Sequence, residues 1–145
     1  MSMSGKVICE TRKLIRHDAA ITVIKAALAH AESLGISVCV AVMDSSGTLA
    51  GFGRMAGGFL ISGDVAMNKA RSVAAVGLAA QNVEEALAQE APRVREGIAQ
   101  TGFSFIRGGL PLREGEDLIG AVGVSGGSEE QDVACAEAGL TALKG

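Results

Sequence analysis

Gly108-Gly109-Leu110-Pro111-Leu112-Arg113-Glu114-Gly115-Glu116-Asp117-Leu118-Ile119-Gly120-Ala121-Val122-Gly123-Val124-Ser125-Gly126-Gly127 decides the fold. It opens on bare backbone, since two glycines allow close approach and positive φ while Pro111 fixes the exit. Residues 110–113 read as a short strand, and Glu114 to Asp117 turn the chain. Leu118 to Ser125 is apolar on both alternating faces, which predicts a strand covered on both sides. Gly120 and Gly123 inside it predict the close approach of a helix or a ligand. Ser128-Glu129-Glu130-Gln131 then forms a capping box. It starts a last helix that runs to about Leu143 and buries Val133, Ala136, Leu140 and Leu143.

The same pattern recurs upstream. Residues 37–43 are again apolar on both faces. Asp44-Ser45-Ser46-Gly47 is a turn signal, and residues 48–54 return as a hairpin partner. Residues 12–34 predict a helix with Leu14, His17, Ile21, Ile24, Leu28 and Ala31 as its apolar stripe, Thr11 as its cap and Gly35 as its end. Helical spacing returns from Ser62 to about Ala80, with Val65, Ala66, Lys69, Ala70, Val73 and Val76 on one face. It returns again from about Val83 to Gln100, broken near Pro92, whose ring nitrogen cannot donate. Phe103 to Ile106 reads as one more short strand. The expectation is an α/β (α+β) fold: a central antiparallel five-stranded sheet, its doubly apolar strands in the middle, with helices packed on both faces. Residues 1–11 form an N-terminal extension to a single domain, 12–145.

The 145 residues are 48% hydrophobic, enough for a core without disulfides. The net charge of −3, with no Lys/Arg run, argues against a nucleic-acid partner. No apolar run approaches the roughly 20 residues that span a bilayer, so no membrane partner is expected. Cys9, Cys39 and Cys135 are far apart, odd in number and without a CxxC pair. They predict no metal site and a reducing, cytoplasmic setting.

The chain resembles the GlcG/HbpS-like family (DUF336), which includes the C-terminal domain of PduO-type proteins. The resemblance is carried by Val40-Ala41-Val42-Met43-Asp44 with Gly47, then Arg54-Met55, Ser62 and Lys69-Ala70. It closes on Gly108-Gly109-Leu110-Pro111, Ile119 through Gly127, and Asp132. It covers roughly residues 12 to 143. It implies a profilin-like fold, a homo-oligomer and, for some members, binding of haem or related tetrapyrroles; others lie in catabolic operons. The family pattern often has an acidic residue after Arg-Met, where this chain has Ala56-Gly57-Gly58.

Several residues could carry chemistry. Lys69 stands on an apolar helical face, so its ammonium must meet an anion, reach water or neutralise. Asp44 is a possible partner, and a ligand carboxylate is another. Arg54 could grip a carboxylate or guard an edge strand. The Gly108–Pro111 passage could face a flat ligand, another subunit or only its own fold. Ser125-Gly126-Gly127 could form an anion nest, although Glu129 and Glu130 oppose a phosphate there. His17 and His30 could ligate haem iron or pack as hydrogen-bonded core histidines. The leading expectation is a homo-oligomeric small-molecule-binding protein. Its site would be made by Arg54, Met55, Lys69, Gly108, Gly109, Leu110 and Pro111, and haem is its candidate ligand by resemblance. Two alternatives stand beside it. One is an accessory enzyme acting on a small carboxylic acid through Lys69 and Asp44. The other is a structural assembly protein.

Overall fold

In the computed structural model, which describes residues 5–145, the elements run in chain order as α1 (His17–Ser33), β1 (Cys39–Asp44), β2 (Leu49–Arg54), α2 (Ile61–Val76), α3 (Ala80–Leu87), α4 (Pro92–Gln100), β3 (Gly109–Glu114), β4 (Asp117–Ser125) and α5 (Glu129–Lys144). The strands form one antiparallel sheet in the order β2-β1-β4-β3. The doubly apolar segments are its two central strands, as their patterns require.

Each face of the sheet has its own core. Val38, Val40 and Val42 of the β1 segment, Val122 and Val124 of β4 and Leu112 of β3 pack against α1 and α5. Cys39, Ala41, Met43 and Ala121 pack against Ala66, Ala70, Val73 and Ala74 of α2. The second layer is built from small residues, and α2 comes down almost onto the sheet backbone. A Cβ placed on Gly123 would lie 2.7 Å from the Ala70 amide nitrogen and closer still to the Ala66 carbonyl oxygen. The close approach expected at Gly123 is therefore that of a helix.

Among the described residues the sheet has four strands, not five. Residues 103–106 alternate like a strand but have no neighbour to pair with. The Ser104 N–H donates to the Ser72 hydroxyl at 2.8 Å, and Phe103 and Phe105 turn toward each other with ring centroids 4.8 Å apart. The first helix also differs. It begins at His17 rather than Arg12, and its preceding residue makes no side-chain cap bond. The segment before it is tied to the sheet instead, with Ile15 N–H donating to Ile119 C=O at 3.0 Å and Arg12 to Ser45 C=O at 2.6 Å. Its buried stripe is Ala20, Val23, Ile24, Ala27 and Ala31, while Leu14, His17 and Ile21 face outward. The rotation follows from packing: α1 lies beside α5 as well as on the sheet, and Gly139 of α5 sits against the Val23 backbone.

The α5 stripe is also turned: Asp132, Cys135, Ala136 and Gly139 are buried, whereas Val133, Leu140 and Leu143 are only half-buried. α2 ends at Val76, which is exposed, and α3 already starts at Ala80. Three other local expectations hold. Ser128 and Gln131 form the reciprocal capping box. Pro92 opens α4 in the position where its missing amide matters least. Gly47, at φ +83°, closes the β1–β2 turn, where the Asp44 carboxylate accepts from the Ser46 and Thr48 amides and the Ser46 hydroxyl.

Candidate functional site

Lys69 is 2% exposed. Its ammonium donates to the Val124 carbonyl at 2.7 Å and to Asp132 Oδ2 at 3.1 Å. Asp132 lies in the first turn of α5, and its other oxygen accepts the Gly127 N–H at 2.9 Å. Burial pushes the Asp132 carboxyl up, and the Lys69 charge and the backbone N–H groups of Gly127 and Gly126 pull against that rise. The anion Lys69 requires is thus supplied by the fold, and it is Asp132, not Asp44. Asp44 pairs with Gly120 at the other end of the sheet. Four residues of β4 separate it from Val124, roughly 13 Å at strand spacing. Desolvation acts upward on the Asp44 carboxyl, but its three turn donors outweigh it and leave the group below the usual carboxylate range.

Gly108 and Gly109 lie against this pair. Gly108 has φ +130°, and a Cβ there would sit 2.7 Å from Lys69 Nζ and 2.7 Å from the Val124 oxygen. A Cβ on Gly109 would press on Val73 and the Lys69 backbone. The passage is filled by α2. Leu110 packs into the α1–α5 core, and Pro111 pairs with Ala121 on the opposite face. Arg54 lies across from Cys39, exposed, at the same end of the sheet as Lys69. Two strand spacings separate its strand from β4, roughly 10 Å. Met55 turns to the other face, where its sulfur accepts the Val38 N–H at 3.3 Å. The structure therefore gathers Arg54, Met55, Lys69 and Gly108 at one end of the sheet but divides them between its faces. His17 stands exposed at the start of α1, beside the Asp44 end, and His30 is half-buried near the helix end.

A cleft of about 740 Å³ opens beside the glycine passage, between α2, the α3–α4 hairpin and residues 102–107. Here Glu84 joins two guanidiniums: its Oε2 accepts from Arg95 Nε at 3.1 Å and its Oε1 from Arg107 Nη1. The Arg107 hydrogen bond, helped by Arg95, holds the Glu84 carboxyl below its ordinary range against slight desolvation. The Arg95 guanidinium lies 4.1 Å from the centre of the Phe105 ring, a cation–π contact. Glu129 accepts the Arg107 N–H at 2.8 Å. Glu84, Arg95 and Arg107 did not stand out in the sequence. Reading 103–106 as a strand hid the two phenylalanines, and Glu84, Arg95 and Arg107 share no motif. The one available signal was a stretch of apolar residues before Gly108 with an arginine directly next to it.

A family model described as haem degrading protein HbpS-like matches residues 15–141, and the chain belongs to this family. The corrinoid adenosyltransferase PduO of Citrobacter freundii is 34% identical over 121 residues, which are 82% of this chain and 36% of that protein. The chain thus spans about a third of the length of the curated PduO relatives it matches. The crystal structure of Klebsiella pneumoniae protein ORFY, of family DUF336, superposes with a TM-score of 0.86 at 28% identity, covering 99% of this chain and 98% of that one. A crystal structure of a PduOC:heme complex superposes with a TM-score of 0.80 at 28% identity, covering 89% and 94%. Among the described residues, no helix is long and apolar enough to cross a membrane.

Proposed function

We propose that this protein is a haem- or tetrapyrrole-binding homo-oligomer that serves a catabolic pathway in the cytoplasm. The observation that carries the reading is the PduOC:heme complex, a relative of the same fold over nearly the whole chain. Bound haem would supply an iron centre, which a neutral imidazole of this chain would hold. The outward stripe of α1 offers one. His17, Ile21 and Lys25 are spaced four residues apart and all three are exposed. They set an imidazole, an apolar side chain and an ammonium in line over roughly 12 Å of helix. In a haem complex His17 would hold the iron, Ile21 would meet the apolar ring and Lys25 would meet a carboxylate. His30 is the second imidazole on the same helix.

Haemin titration tests the reading. A shifted Soret band is expected at micromolar protein, moved or lost in His17→Ala and weakened in Lys25→Ala. A titration that leaves the free-haemin spectrum unchanged overturns it. Running Arg54→Ala and Lys69→Ala in the same series separates the α1 stripe from the far end of the sheet.

A second reading concerns a small carboxylic acid, as ligand or substrate. It is favoured by the convergence of Arg95 and Arg107 on the Glu84 carboxylate beside two phenylalanines, a setting already matched to a carboxylate on an apolar body. Calorimetric titration with benzoate checks it: heat lost in Arg107→Ala supports a site in the cleft, and no heat with the unaltered protein removes it.

A further inference from the structure

The two edges of the sheet are finished differently. β3 carries Pro111, a register shift at Leu112–Arg113 and the charges of Arg113 and Glu114. These devices stop further strand pairing, since proline removes a ladder donor and charges resist an apposed strand. It is also covered on both faces, by α2 and by α5. The other edge, β2, reads Leu49-Ala50-Gly51-Phe52-Gly53-Arg54, with no proline and one charge at its end. α1 covers one of its faces, and α2 lies mainly over β1, β4 and β3, meeting the other face of β2 where Gly63 touches Phe52. On that open face Phe52 is 41% exposed and Leu49 is exposed with it.

The open face continues into more apolar surface. The Phe52 ring lies against Gly63 at the start of α2. Just before it come Phe59, Leu60 and Ile61, and Leu60 is 88% exposed. Three consecutive large apolar residues in water beside the free edge of a strand form a patch of the kind that marks a contact surface. The patch has one charge of each sign, Arg54 at the strand end and Asp64 in the first turn of α2. Neither has an ion-pair partner among the described residues.

We infer that the β2 edge, together with Phe59, Leu60 and Ile61, is the surface through which two copies of this chain pair about a twofold axis. The assignment rests on the reading that the chain self-associates. The charges single out a second copy as the occupant. A twofold contact places the same patch on both sides, so a register that sets Arg54 of one subunit against Asp64 of the other makes that pair twice. A partner of one strong charge would find one of the two repelling it. A second β2 also matches the edge in length and satisfies its free amides and carbonyls by antiparallel pairing.

Light scattering on a gel-filtration column, from micromolar to tens of micromolar protein, tests the assignment. The unaltered chain is expected to run at a multiple of its monomer mass. Leu60→Glu touches no core residue, and it is expected to halve that mass or weaken assembly roughly tenfold or more. Arg54→Asp alone is expected to weaken assembly, and Arg54→Asp with Asp64→Arg to restore it. An oligomer whose mass none of these changes would overturn the surface assignment while leaving self-association standing. A monomer at every concentration would overturn both, and the patch would then belong to a different partner.

Discussion

An ammonium on the apolar face of α2 could not stay unpaired, and that requirement was legible in the placement of Lys69 among Val65, Ala66, Ala70 and Val73. Its partner was not. Asp132 is 63 positions away, in the first turn of a helix where an acidic residue already has a local reason to be. Only the fold brings the two together. Removing one member leaves the other buried without its counter-charge, so Lys69→Met is expected to cost about 3–5 kcal/mol in urea unfolding. Adding Asp132→Leu should recover part of that loss, because no lone charge remains, but not all of it, because the Gly127 N–H loses its acceptor. A loss under about 1 kcal/mol for Lys69→Met would show that the pair is not the clamp its burial suggests. Gly123 is a second residue-scale case, and here the sequence called for a close neighbour but left open whether it was a helix or a ligand. A glycine in a buried strand called for close approach, and the neighbours found there are α2 backbone atoms, which cannot rotate away. Gly123→Ala should therefore lower stability by roughly 1–3 kcal/mol or more, measured by the same unfolding curve; a neutral result would mean that α2 can lift from the sheet.

Elements were legible where one local rule settled them. The two central strands followed from runs apolar on both faces, and the start of α5 from a capping box whose partners are three residues apart. The boundary between α3 and α4 followed from Pro92. The expectation failed where local pattern and tertiary packing competed. Residues 103–106 alternate correctly for a strand but spend their backbone on Ser72. The stripe of α1 was half right: Ile24, Leu28 and Ala31 join the core, but Leu14, His17 and Ile21 are left outside, and Ala20, Val23 and Ala27 are buried in their place. The cleft suffered most, since it depends on the α3–α4 hairpin, whose second helix has no buried residue. That hairpin is tied to residues 105–107 largely through Glu84, which gives it a pH dependence. The folded-state value of Glu84 lies below the unfolded one, so its contribution is complete above the ordinary glutamate range and is lost as pH falls through the folded value. Amide exchange, corrected for its intrinsic rate, should show the hairpin opening more readily at pH 3.5 than at pH 6 while β1 and β4 stay protected. Glu84→Gln should bring the same loosening at pH 6, roughly fivefold in local protection for ~1 kcal/mol. Equal protection in the two proteins would mean that packing alone holds the hairpin.

At the scale of the molecule, one sheet serves two cores, and a buried thiol stands in each. Cys39 belongs to the layer under α2, and Cys135 to the layer between the sheet, α1 and α5. Burial pushes the Cys39 thiol up, and it pushes Cys135 to about 11 with help from the nearby Asp132 carboxylate. Both are therefore protonated at neutral pH and shielded from alkylation, whereas Cys9 is exposed. Because β1 and β4 contribute side chains to both layers, neither core can open without disturbing strands that the other needs. The two layers should then behave as one cooperative unit. Iodoacetamide labelling across a urea series, read peptide by peptide in a mass spectrometer, should modify Cys9 at once and Cys39 and Cys135 together, at one midpoint and with one slope. The alternative has a distinct signature. If α2, resting on small side chains and bare backbone, peels away first, Cys39 is labelled at lower urea than Cys135. The sheet would then be holding two separable layers, and Lys69–Asp132, which joins α2 to α5 across the strand ends, would be the bond whose loss divides them.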